Sequence, residues 1–377
     1  MAVMGTIEVS LEALAHNAQA LRAFCAPATA GFVVKGNGYG HGIVETALAI
    51  EGFASRLCVY SADEALALRD NGITKPILIM GPVPEELLEA AYAANAAIAL
   101  WDTRQYLRLV TGIAQKRHGR FPVHVKLNTG LNRLGLNARD AADAIEDYLR
   151  MPELEIEGVF SHLAAAEELD SPYTLNQLQT FESALAPIDT ILAQRARRPI
   201  RHLAASAAAM LWPQTRLDMV RIGIALYGLW PSPGTRAAME ESDLRLEPAL
   251  RYTSTLVATR EIATGDAVGY GTTFHAPRPM RLGILPLGYV DGIPRLLSNR
   301  GAFIVAKKLC PIVGRIGMNM TVIDVTAAKD AVSGTPVTLI GAQGDLAVTA
   351  DQWADWAETL NYEIVTRLPE RIERIYL

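Results

Sequence analysis

The sequence predicts an α/β protein in which an N-terminal (β/α)8 barrel is followed by a mostly-β C-terminal domain. Eight short apolar runs lie between residues 32 and 222, and helical patterns separate most of them, which is typical of a parallel sheet. After the loop Pro231–Gly234 the pattern changes to strands and glycine turns. Eight strand–helix units favour a barrel, which typically takes about 250 residues. An open, doubly wound sheet is the structural alternative.

The first element is a strand over residues 6–9, where apolar and polar residues alternate. Ser10 follows it and is a suitable N-cap for a helix. One face of that helix is apolar and carries Leu11, Leu14, Ala18 and Leu21.

Each of the eight runs has the length and the apolar character of a buried strand. In chain order they cover residues 32–34, 57–60, 77–80, 97–100, 123–127, 159–161, 203–204 and 219–222. Between the second and third runs, Ser61 and Glu64 form a capping box that opens a helix ending at Asn71-Gly72. Two further helices are predicted over residues 141–149 and 175–192.

We therefore assign residues 11–240 to the barrel and residues 241–377 to the β-rich domain, and expect the N-terminal strand, residues 1–10, to pack with the latter. The pattern of the second domain predicts strands over residues 256–258, 282–285 and 337–340 and a turn at residues 264–266. A single helix over residues 351–360 closes it.

Composition excludes several classes of protein. The net charge of −5 and the lack of a basic cluster argue against nucleic acid. The apolar runs are too short to span a membrane, and the N-terminus lacks the pattern of a signal peptide. Three scattered cysteines (Cys25, Cys58 and Cys310) fit neither a disulfide framework nor a metal site. We expect a cytoplasmic protein.

Residues 32–42 contain the most distinctive local pattern. The β-run ends in Lys35, and four of the next seven residues are glycines. A lysine at the carboxyl end of a barrel strand lies where such enzymes place catalytic groups, and a lysine with a lowered pKa forms Schiff bases. The alternative is an ordinary glycine-rich turn with a solvated lysine.

Other polar residues also follow the predicted strands. The full set is Lys35, Tyr39, Lys126, Arg133, His162, Ser206 and Arg221. In a barrel these side chains converge at one mouth, although each alone is more often structural or solvated. Lys126 is unusual because a buried ammonium is costly unless it is paired or chemically altered. The histidines His41, His124, His162 and His202 show no metal-ligand spacing, so we expect no metal.

These residues and their order along the chain resemble those of the alanine racemases. The stretch Lys35–Gly42 is similar to the family's Lys-Ala-Asn-Ala-Tyr-Gly-His-Gly. Further matches follow in order, and they are Lys126–Gly130 with Arg133–Gly135, Ser161–Ala164, His202–Ser206, Arg221–Ile224 with Tyr227-Gly228, Gly269–Gly271, Gly288-Tyr289 with Asp291-Gly292 and Pro294-Arg295, Pro311–Arg315 with Met318, and Asn361–Glu363.

The resemblance implies a pyridoxal-phosphate enzyme that interconverts L- and D-alanine and so supplies D-alanine, a peptidoglycan precursor. Lys35 holds the cofactor as an internal aldimine and acts as one acid/base. Tyr270, contributed by the partner subunit of a homodimer, is the opposing one, because racemisation needs a base on each face of the α-carbon.

The same resemblance implies roles for the other residues. Arg221 faces the pyridine nitrogen, and His162 belongs to its network. Arg133 binds the substrate carboxylate or the cofactor's phenolic oxygen, Lys126 matches a lysine that is carbamylated in many members, and Tyr289 and Met318 restrict the partner's site to small side chains. The cofactor phosphate is held by Tyr39, Ser206, Tyr362 and the backbone N–H groups of Gly223 and Ile224.

The chain departs from the family pattern at five positions. Gly36 and Gly38 replace alanines, Ala205 replaces an asparagine, Asn319 replaces an aspartate and Ile293 replaces a tyrosine. The last two bear on the substrate entrance, so serine or another small amino acid stays open as a substrate. Two alternatives keep the cofactor: a decarboxylase of basic amino acids and a non-catalytic pyridoxal-phosphate carrier. A metal-dependent barrel hydrolase is weaker than either.

Overall fold

A computed structural model of the chain describes residues 4–101, 104–194 and 198–377. The first three residues of the predicted N-terminal segment lie outside the described residues. The chain opens with β1 (Gly5–Val9) and a helix over Leu11–Cys25. The predicted apolar face of this helix is confirmed at Leu14, Ala18 and Leu21, which are fully buried.

Among the described residues, nine parallel strands form the first sheet. They are β2 (Thr29–Val33), β3 (Arg56–Val59), β4 (Ile77–Ile79), β5 (Ala96–Leu100), β6 (Phe121–Asn128), β7 (Leu136–Asn137), β8 (Leu154–Phe160), β9 (Ile200–His202) and β10 (Met219–Ile222). Their order is β10-β2-β3-β4-β5-β6-β8-β9, and the short β7 pairs with β6. Because both faces of such a sheet are covered, every residue of β3, β4 and β5 is buried.

The sheet closes into a barrel between β9 and β10. Asp218 N–H donates to Arg201 O at 3.0 Å, and Arg221 N–H donates to Ala204 O at 2.9 Å. A doubly wound sheet reverses its strand order once, whereas these strands follow one another around the barrel. The predicted barrel is confirmed and the open sheet is excluded.

Helices alternate with the strands. The described ones are Ile43–Ile50, Ala62–Asp70, Glu85–Ala93, Arg104–Lys116, Ala141–Arg150, Tyr173–Leu185, Asp189–Ala193, Ser206–Leu211 and Pro233–Ala238. The capping box at Ser61 and Glu64 is confirmed. The single helix predicted over residues 175–192 is wrong, because a 3-10 segment at Ala186–Ile188 interrupts it. Pro187 lies in that segment and cannot continue the hydrogen-bond ladder. The strand predicted at residues 203–204 is displaced, because the observed strand is Ile200–His202 and residues 203–204 follow it.

A left-handed turn follows Lys35. Gly36, Asn37 and Gly38 have φ values of 63°, 52° and 60°, a conformation that costs an L-residue roughly 1–2 kcal/mol and glycine almost nothing. The two glycines that replace the family's alanines therefore relieve strain in the turn. The Asn37 side chain stabilises its exit by accepting from Ile43 N–H at 2.9 Å.

The remaining strands build a β-rich unit. They are β11 (Leu250–Thr255), β12 (Ala258–Ile262), β13 (Ala267–Val268), β14 (Phe274–His275), β15 (Met280–Leu285), β16 (Ala302–Val305), β17 (Lys308–Pro311), β18 (Thr321–Asp324), β19 (Pro336–Gln343), β20 (Leu346–Val348) and β21 (Glu373–Tyr376). The largest sheet has the order β17-β16-β19-β11-β1-β21, with β20 on β19. In it β1 is antiparallel to β11 and parallel to β21.

Trp353 lies at the centre of the core of this unit. It is fully buried, its ring centroid is 5.9 Å from that of Phe303, and its indole N–H donates to Leu339 O at 3.1 Å. Trp353 belongs to the helix Ala350–Ala357, and a second helix, Asn361–Thr366, follows. The single helix predicted over residues 351–360 is therefore wrong at its end, and the strand predicted at 256–258 is wrong because residues 256–257 connect β11 to β12.

Internal contacts divide the chain into two compact units. One comprises residues 12–38 and 43–248, which we call the barrel unit, and the other comprises residues 1–11, 39–42 and 249–377, which we call the C-terminal unit. The domain boundary proposed from the sequence at 240/241 stays a prediction. Within the described residues, no helix combines the length and apolarity that a membrane span requires.

Candidate active site

Lys35 lies just past the end of β2, in a strongly cationic environment. Burial lowers the pKa of its ammonium, and the charge of Arg133 lowers it further, while the Glu64 carboxylate raises it and Arg221 lowers it again. Glu64 also accepts from Gly36 N–H at 2.6 Å, directly beside Lys35. The environment therefore favours a neutral amine at this strand end.

Lys126, on β6, is a second lysine in the same cluster. Its side chain is 6% exposed, and its Nζ lies 5.5 Å from the centroid of the Phe160 ring. Burial lowers its pKa to about 8, helped by the charges of Arg133, Arg221 and Lys35. An amine with this pKa is partly neutral near pH 8 and is nucleophilic in that form.

Arg221, near the end of β10, is held from several sides. Its side chain donates to the backbone carbonyls of Ser161, His202 and Leu203 at 2.8–3.0 Å. It also contacts His202 Nδ1 at 2.9 Å and His162 Nδ1 at 3.2 Å. Burial lowers its pKa only to about 10, so it remains a cation at neutral pH.

His162 accepts from this arginine. A guanidinium has only donors, so the Nδ1 atom of His162 must carry no proton. Burial, followed by the charge of Arg221, lowers the pKa of His162 to about 3. His162 is therefore neutral, and it contributes an acceptor to the network.

Ser206 and Gly223 form a polar pair beyond β9 and β10. The Ser206 hydroxyl, which is buried, accepts from Gly223 N–H at 3.0 Å. Ile224 follows and begins a 3-10 turn. A hydroxyl and backbone N–H groups after the late strands of a barrel are the groups that commonly hold a phosphate there.

The other predicted site residues belong to the C-terminal unit. The rings of Tyr39 and Tyr362 lie 6.3 Å apart. Their proximity depends on Gly40, because a Cβ at that residue would lie 2.0 Å from Val365 O.

Tyr270, Tyr289 and Met318 also belong to this unit and are exposed, at 76%, 43% and 56%. Backbone hydrogen bonds tie two of them together, because Tyr289 N–H donates to Gly317 O at 3.0 Å and Val290 N–H donates to Met318 O at 3.1 Å. A Cβ at Gly317 would lie 3.7 Å from the Tyr270 ring. The three side chains therefore share one surface, which we call the tyrosine face.

The departures from the family pattern divide by burial. Ile293 is fully buried, so it acts through packing and cannot line an entrance. Asn319 is exposed beside Met318. Ala205 is the N-cap of Ser206–Leu211 and offers no side-chain acceptor to that helix.

Sequence reasoning missed several polar residues that organise the site. Gln177, which is 1% exposed, donates to His162 O at 3.2 Å and accepts from Ala164 N–H at 2.8 Å, so it clamps the loop that carries His162. Glu64 was recognised as a cap only, and His124, Glu157 and Arg56 were given no role. These residues are distant from one another in the chain. The one available sequence signal was that some of them are polar residues within an otherwise apolar strand. Across the described ranges, no cluster of three or more metal-ligating side chains is found.

The site is a barrel mouth lined by Lys35, Lys126, Arg133 and Arg221. Two lysines and two arginines beside one carboxylate, with a hydroxyl and backbone donors nearby, fit an anionic cofactor that carries an aldehyde and a phosphate. Fold and site together define a (β/α)8-barrel enzyme with a buried lysine in a cationic barrel mouth.

The comparisons with known proteins name the family. Residues 9–231 match the alanine racemase N-terminal domain and residues 249–376 match the alanine racemase C-terminal domain. The chain belongs to the alanine racemase family.

Individual relatives match over nearly the full length. The chain is 37% identical to an alanine racemase of Nostoc sp., covering 98% of this chain and 95% of the relative. The structure of alanine racemase from Streptomyces lavendulae superposes with a TM-score of 0.93 at 32% identity, covering 100% of this chain and 98% of the other. A Bartonella henselae alanine racemase with covalently bound pyridoxal phosphate superposes with a TM-score of 0.86 at 26% identity, covering 99% of each.

Proposed function

We propose that this chain interconverts L- and D-alanine with pyridoxal phosphate bound at Lys35, and that Lys35 and Tyr270 are the two opposing acid/bases. The observation that carries the proposal is the lysine at the end of β2, whose pKa is lowered within a cluster of cations. Membership of the alanine racemase family supports the reaction and the substrate. When bound, pyridoxal phosphate supplies an electron sink that acidifies the Cα–H bond of an attached amino acid.

The residues of the barrel unit have distinct tasks in this proposal. The Lys35 amine would take a proton from one face of the substrate, and its ammonium form would return a proton to that face. Ser206 and the N–H groups of Gly223 and Ile224 hold the phosphate, and Arg133 binds the substrate carboxylate. Tyr39 and Tyr362 as further phosphate ligands stay predictions.

Arg221 is assigned to the pyridine nitrogen. Because an arginine does not give up its proton readily, it donates a hydrogen bond to that nitrogen without protonating it. Arg221 would therefore place less positive charge on the cofactor ring than a protonating carboxylic acid would, which would disfavour side reactions such as transamination. His162, a neutral acceptor, orients the guanidinium.

Lys126 is proposed to be carbamylated. Its lowered pKa leaves neutral amine to attack CO2, and the new N–C bond forms as the nitrogen loses a proton to solvent. The product is an anion among three cations, which removes the repulsion that lowers the pKa of the lysine.

Tyr270 is proposed to act in the partner's active site of a homodimer. Its 76% exposure leaves it in water in a single chain, where a base cannot be held in a reactive geometry. Tyr289 and Met318, on the same face, would limit the size of the substrate side chain. We also place the enzyme in the cytoplasm, where buried free thiols such as Cys25, Cys58 and Cys310 are usual.

The first test is chemical. Purified protein is incubated with L-alanine and pyridoxal phosphate, and D-alanine is followed by chiral chromatography, with L-serine and L-lysine in parallel. Rapid D-alanine formation is expected. Racemisation of serine alone would support the proposed mechanism but change the assigned substrate from alanine to serine, and Asn319 would be the residue to examine. Loss of CO2 from lysine would instead favour a decarboxylase.

A further inference from the structure

A buried chain of polar side chains runs from Arg221 through the barrel interior. Arg221 Nη1 lies 2.9 Å from His202 Nδ1, and His202 Nε2 lies 2.8 Å from His124 Nδ1. His124 Nε2 points to Glu157 Oε2 at 3.6 Å, and that oxygen accepts from Arg56 Nη2 at 2.6 Å. The chain joins the end of β10 to the start of β3, and Arg56, His124 and Glu157 have no role in the function proposed above.

The direction of every donor in this chain is determined. Arg221 can only donate, so His202 Nδ1 accepts and the His202 proton is on Nε2. That proton is donated to His124 Nδ1, which leaves the His124 proton on Nε2, facing Glu157. A carboxylate can only accept, so both ends of the chain require the same arrangement of protons. The last contact, at 3.6 Å, is longer than a hydrogen bond and is an attraction between an N–H dipole and a charge.

The charge states are consistent with this arrangement. Burial lowers the pKa of His124 to about 4 and that of His202 well below its usual value, so both rings are neutral at pH 7. Burial opposes ionisation of Glu157, but the His124 N–H and the Arg56 charge outweigh it and lower the carboxyl pKa to about 2. The Glu157 anion therefore lies at one end of the two neutral imidazole rings, and the Arg221 cation lies at the other end.

The surrounding barrel is shaped to hold the two rings. Phe160 stacks on His202 with the centroids 4.8 Å apart and the planes inclined by 5°. A Cβ at Gly158 would lie 2.3 Å from His124 Nδ1, so only glycine leaves room for that ring. Apolar residues would fill this space at a lower desolvation cost, which indicates that the polar chain serves a purpose other than stability.

We propose that Glu157, His124 and His202 form a positioning relay that orients Arg221, and that the Glu157 carboxylate tunes how strongly Arg221 donates to the ring nitrogen of the cofactor. The relay transfers no proton during the reaction. It polarises the His202 Nδ1 acceptor through two intervening N–H groups, which holds the guanidinium in one place and draws positive charge away from its cofactor side. The proposal rests on the assignment of Arg221 to the cofactor.

The test removes the anion without leaving a lone buried charge. The double variant Arg56→Met/Glu157→Gln takes out both members of the ion pair, since removing one member of such a pair is strongly destabilising. Glu157→Asp retains the charge and is the conservative variant. The matched control is Arg251→Met/Glu8→Gln, which removes an ion pair of 2.8 Å between β11 and β1.

Three measurements test the relay. Side-chain 15N NMR of histidine reports the tautomers, and we expect His124 and His202 to be neutral with the proton on Nε2 between pH 6 and 8. In the double variant the ring-nitrogen shifts of both should move, while Glu157→Asp and the control leave them in place. In the holoenzyme, kcat should fall about tenfold with little change in KM, and the visible cofactor band should shift.

Specific results would overturn the relay. A proton on Nδ1 of either ring in the wild type would contradict the donor order. A double variant that loses only thermal stability, with unchanged ring shifts, cofactor band and kcat, would reduce the chain to a structural element. A wild-type protein that racemises no amino acid would overturn the proposed function, and the tuning of Arg221 with it. A wild-type protein that racemises alanine, with ring-nitrogen shifts that do not move in the double variant, would overturn the relay alone.

Discussion

The barrel mouth and the tyrosine face differ in how completely one chain organises them. In the barrel, Arg221 is buried and makes five side-chain contacts to carbonyls and imidazoles. On the tyrosine face, Tyr270 sits on a short 3-10 turn and is 76% exposed. The first region is preorganised within a single chain, whereas in the second the tyrosine that we propose as a base needs a further surface to become ordered.

The two regions also differ in charge. The barrel mouth concentrates Lys35, Lys126, Arg133 and Arg221, which is suited to an anionic cofactor and an amino-acid carboxylate. The tyrosine face exposes large apolar or aromatic groups, and Val290 and Met320 extend it. Exposed apolar patches of this kind mark protein interfaces, which agrees with a homodimer that places Tyr270 in a partner's site.

The largest expected effect comes from breaking the barrel side. Lys35→Ala should lower racemisation by at least about a thousandfold, since it removes both the attachment point and one acid/base. Borohydride reduction followed by peptide mapping should no longer fix cofactor to the chain. Cofactor still fixed at Lys126 or elsewhere in the variant would contradict the assignment of Lys35.

Breaking the other side should be nearly as severe. Tyr270→Phe should retain cofactor but lower racemisation about 10²- to 10⁴-fold in both directions, because one face loses its acid/base. Chiral chromatography in D2O measures both the rate and the exchange of the α-hydrogen. Unchanged rates would show that Tyr270 is not the second base.

Mixed dimers connect the two variants. If Tyr270 acts in the partner's site, a Lys35→Ala chain paired with a Tyr270→Phe chain contains one complete site. Remixing the two inactive variants in equal amounts should then restore about a quarter of the wild-type activity, since half of the dimers are hybrids with one working site each. No recovery in dimers shown to be hybrid would place Tyr270 in the active site of its own chain.

The next prediction concerns the charge of Lys126, which carbamylation would change from positive to negative. Incubation with 13C-bicarbonate should give a carbamate resonance that disappears in Lys126→Met. The variant should lose about tenfold in kcat/KM if the anion positions Arg133. An unmodified Lys126 in fully active enzyme would contradict the carbamate proposal.

A smaller expected effect is a dependence of stability on pH that arises in the barrel and not in the C-terminal unit. The pKa of His124 is lowered to about 4 from an ordinary 6.5, and that of His202 is lowered well below 6.5. The unfolded chain therefore binds more protons below pH 6.5. The free energy of unfolding should fall by up to about 1.4 kcal/mol per pH unit for His124 as the pH drops from 6.5 to 4, and His202 acts in the same direction.

Urea unfolding at fixed protein concentration between pH 7.5 and 4.5 measures this slope. His124→Gln should reduce the slope by about one proton. His275→Gln, at an exposed residue of the C-terminal unit, should leave it unchanged. Equal slopes in all three proteins would show that His124 is not buried neutral.

The smallest predicted effect concerns a missing cap. Ala205→Asn should raise the free energy of unfolding by about 1 kcal/mol, because asparagine accepts from the first turn of Ser206–Leu211 and alanine does not. Ala205→Ser should act in the same direction. Destabilisation by both would show that the start of this helix lacks space for a polar side chain.

The sequence by itself determined a parallel sheet with alternating helices, because the apolar runs and the helical patterns between them record burial on both faces of each strand. The choice of a barrel over an open sheet was settled by the hydrogen bonds between β9 and β10. It also indicated Lys35 as a site residue, since a lysine that ends a β-run before a glycine stretch is a local signal. Local signals failed where longer-range constraints decide. Pro187 interrupts a helix whose apolar pattern continues through it, and β11 ends where its pairing with β19 ends.

Only the tertiary structure decided which polar groups meet. His202 lies four residues before Ser206 in one sequence motif. His124 and Glu157 lie 78 and 45 residues earlier in the chain, and they approach His202 only because β6, β8 and β9 are neighbours in the barrel. The same holds for the lowered pKa values of Lys35 and Lys126. Burial and the charge of Arg133 and Arg221 produce them, and these are properties of the folded barrel that residue order does not record.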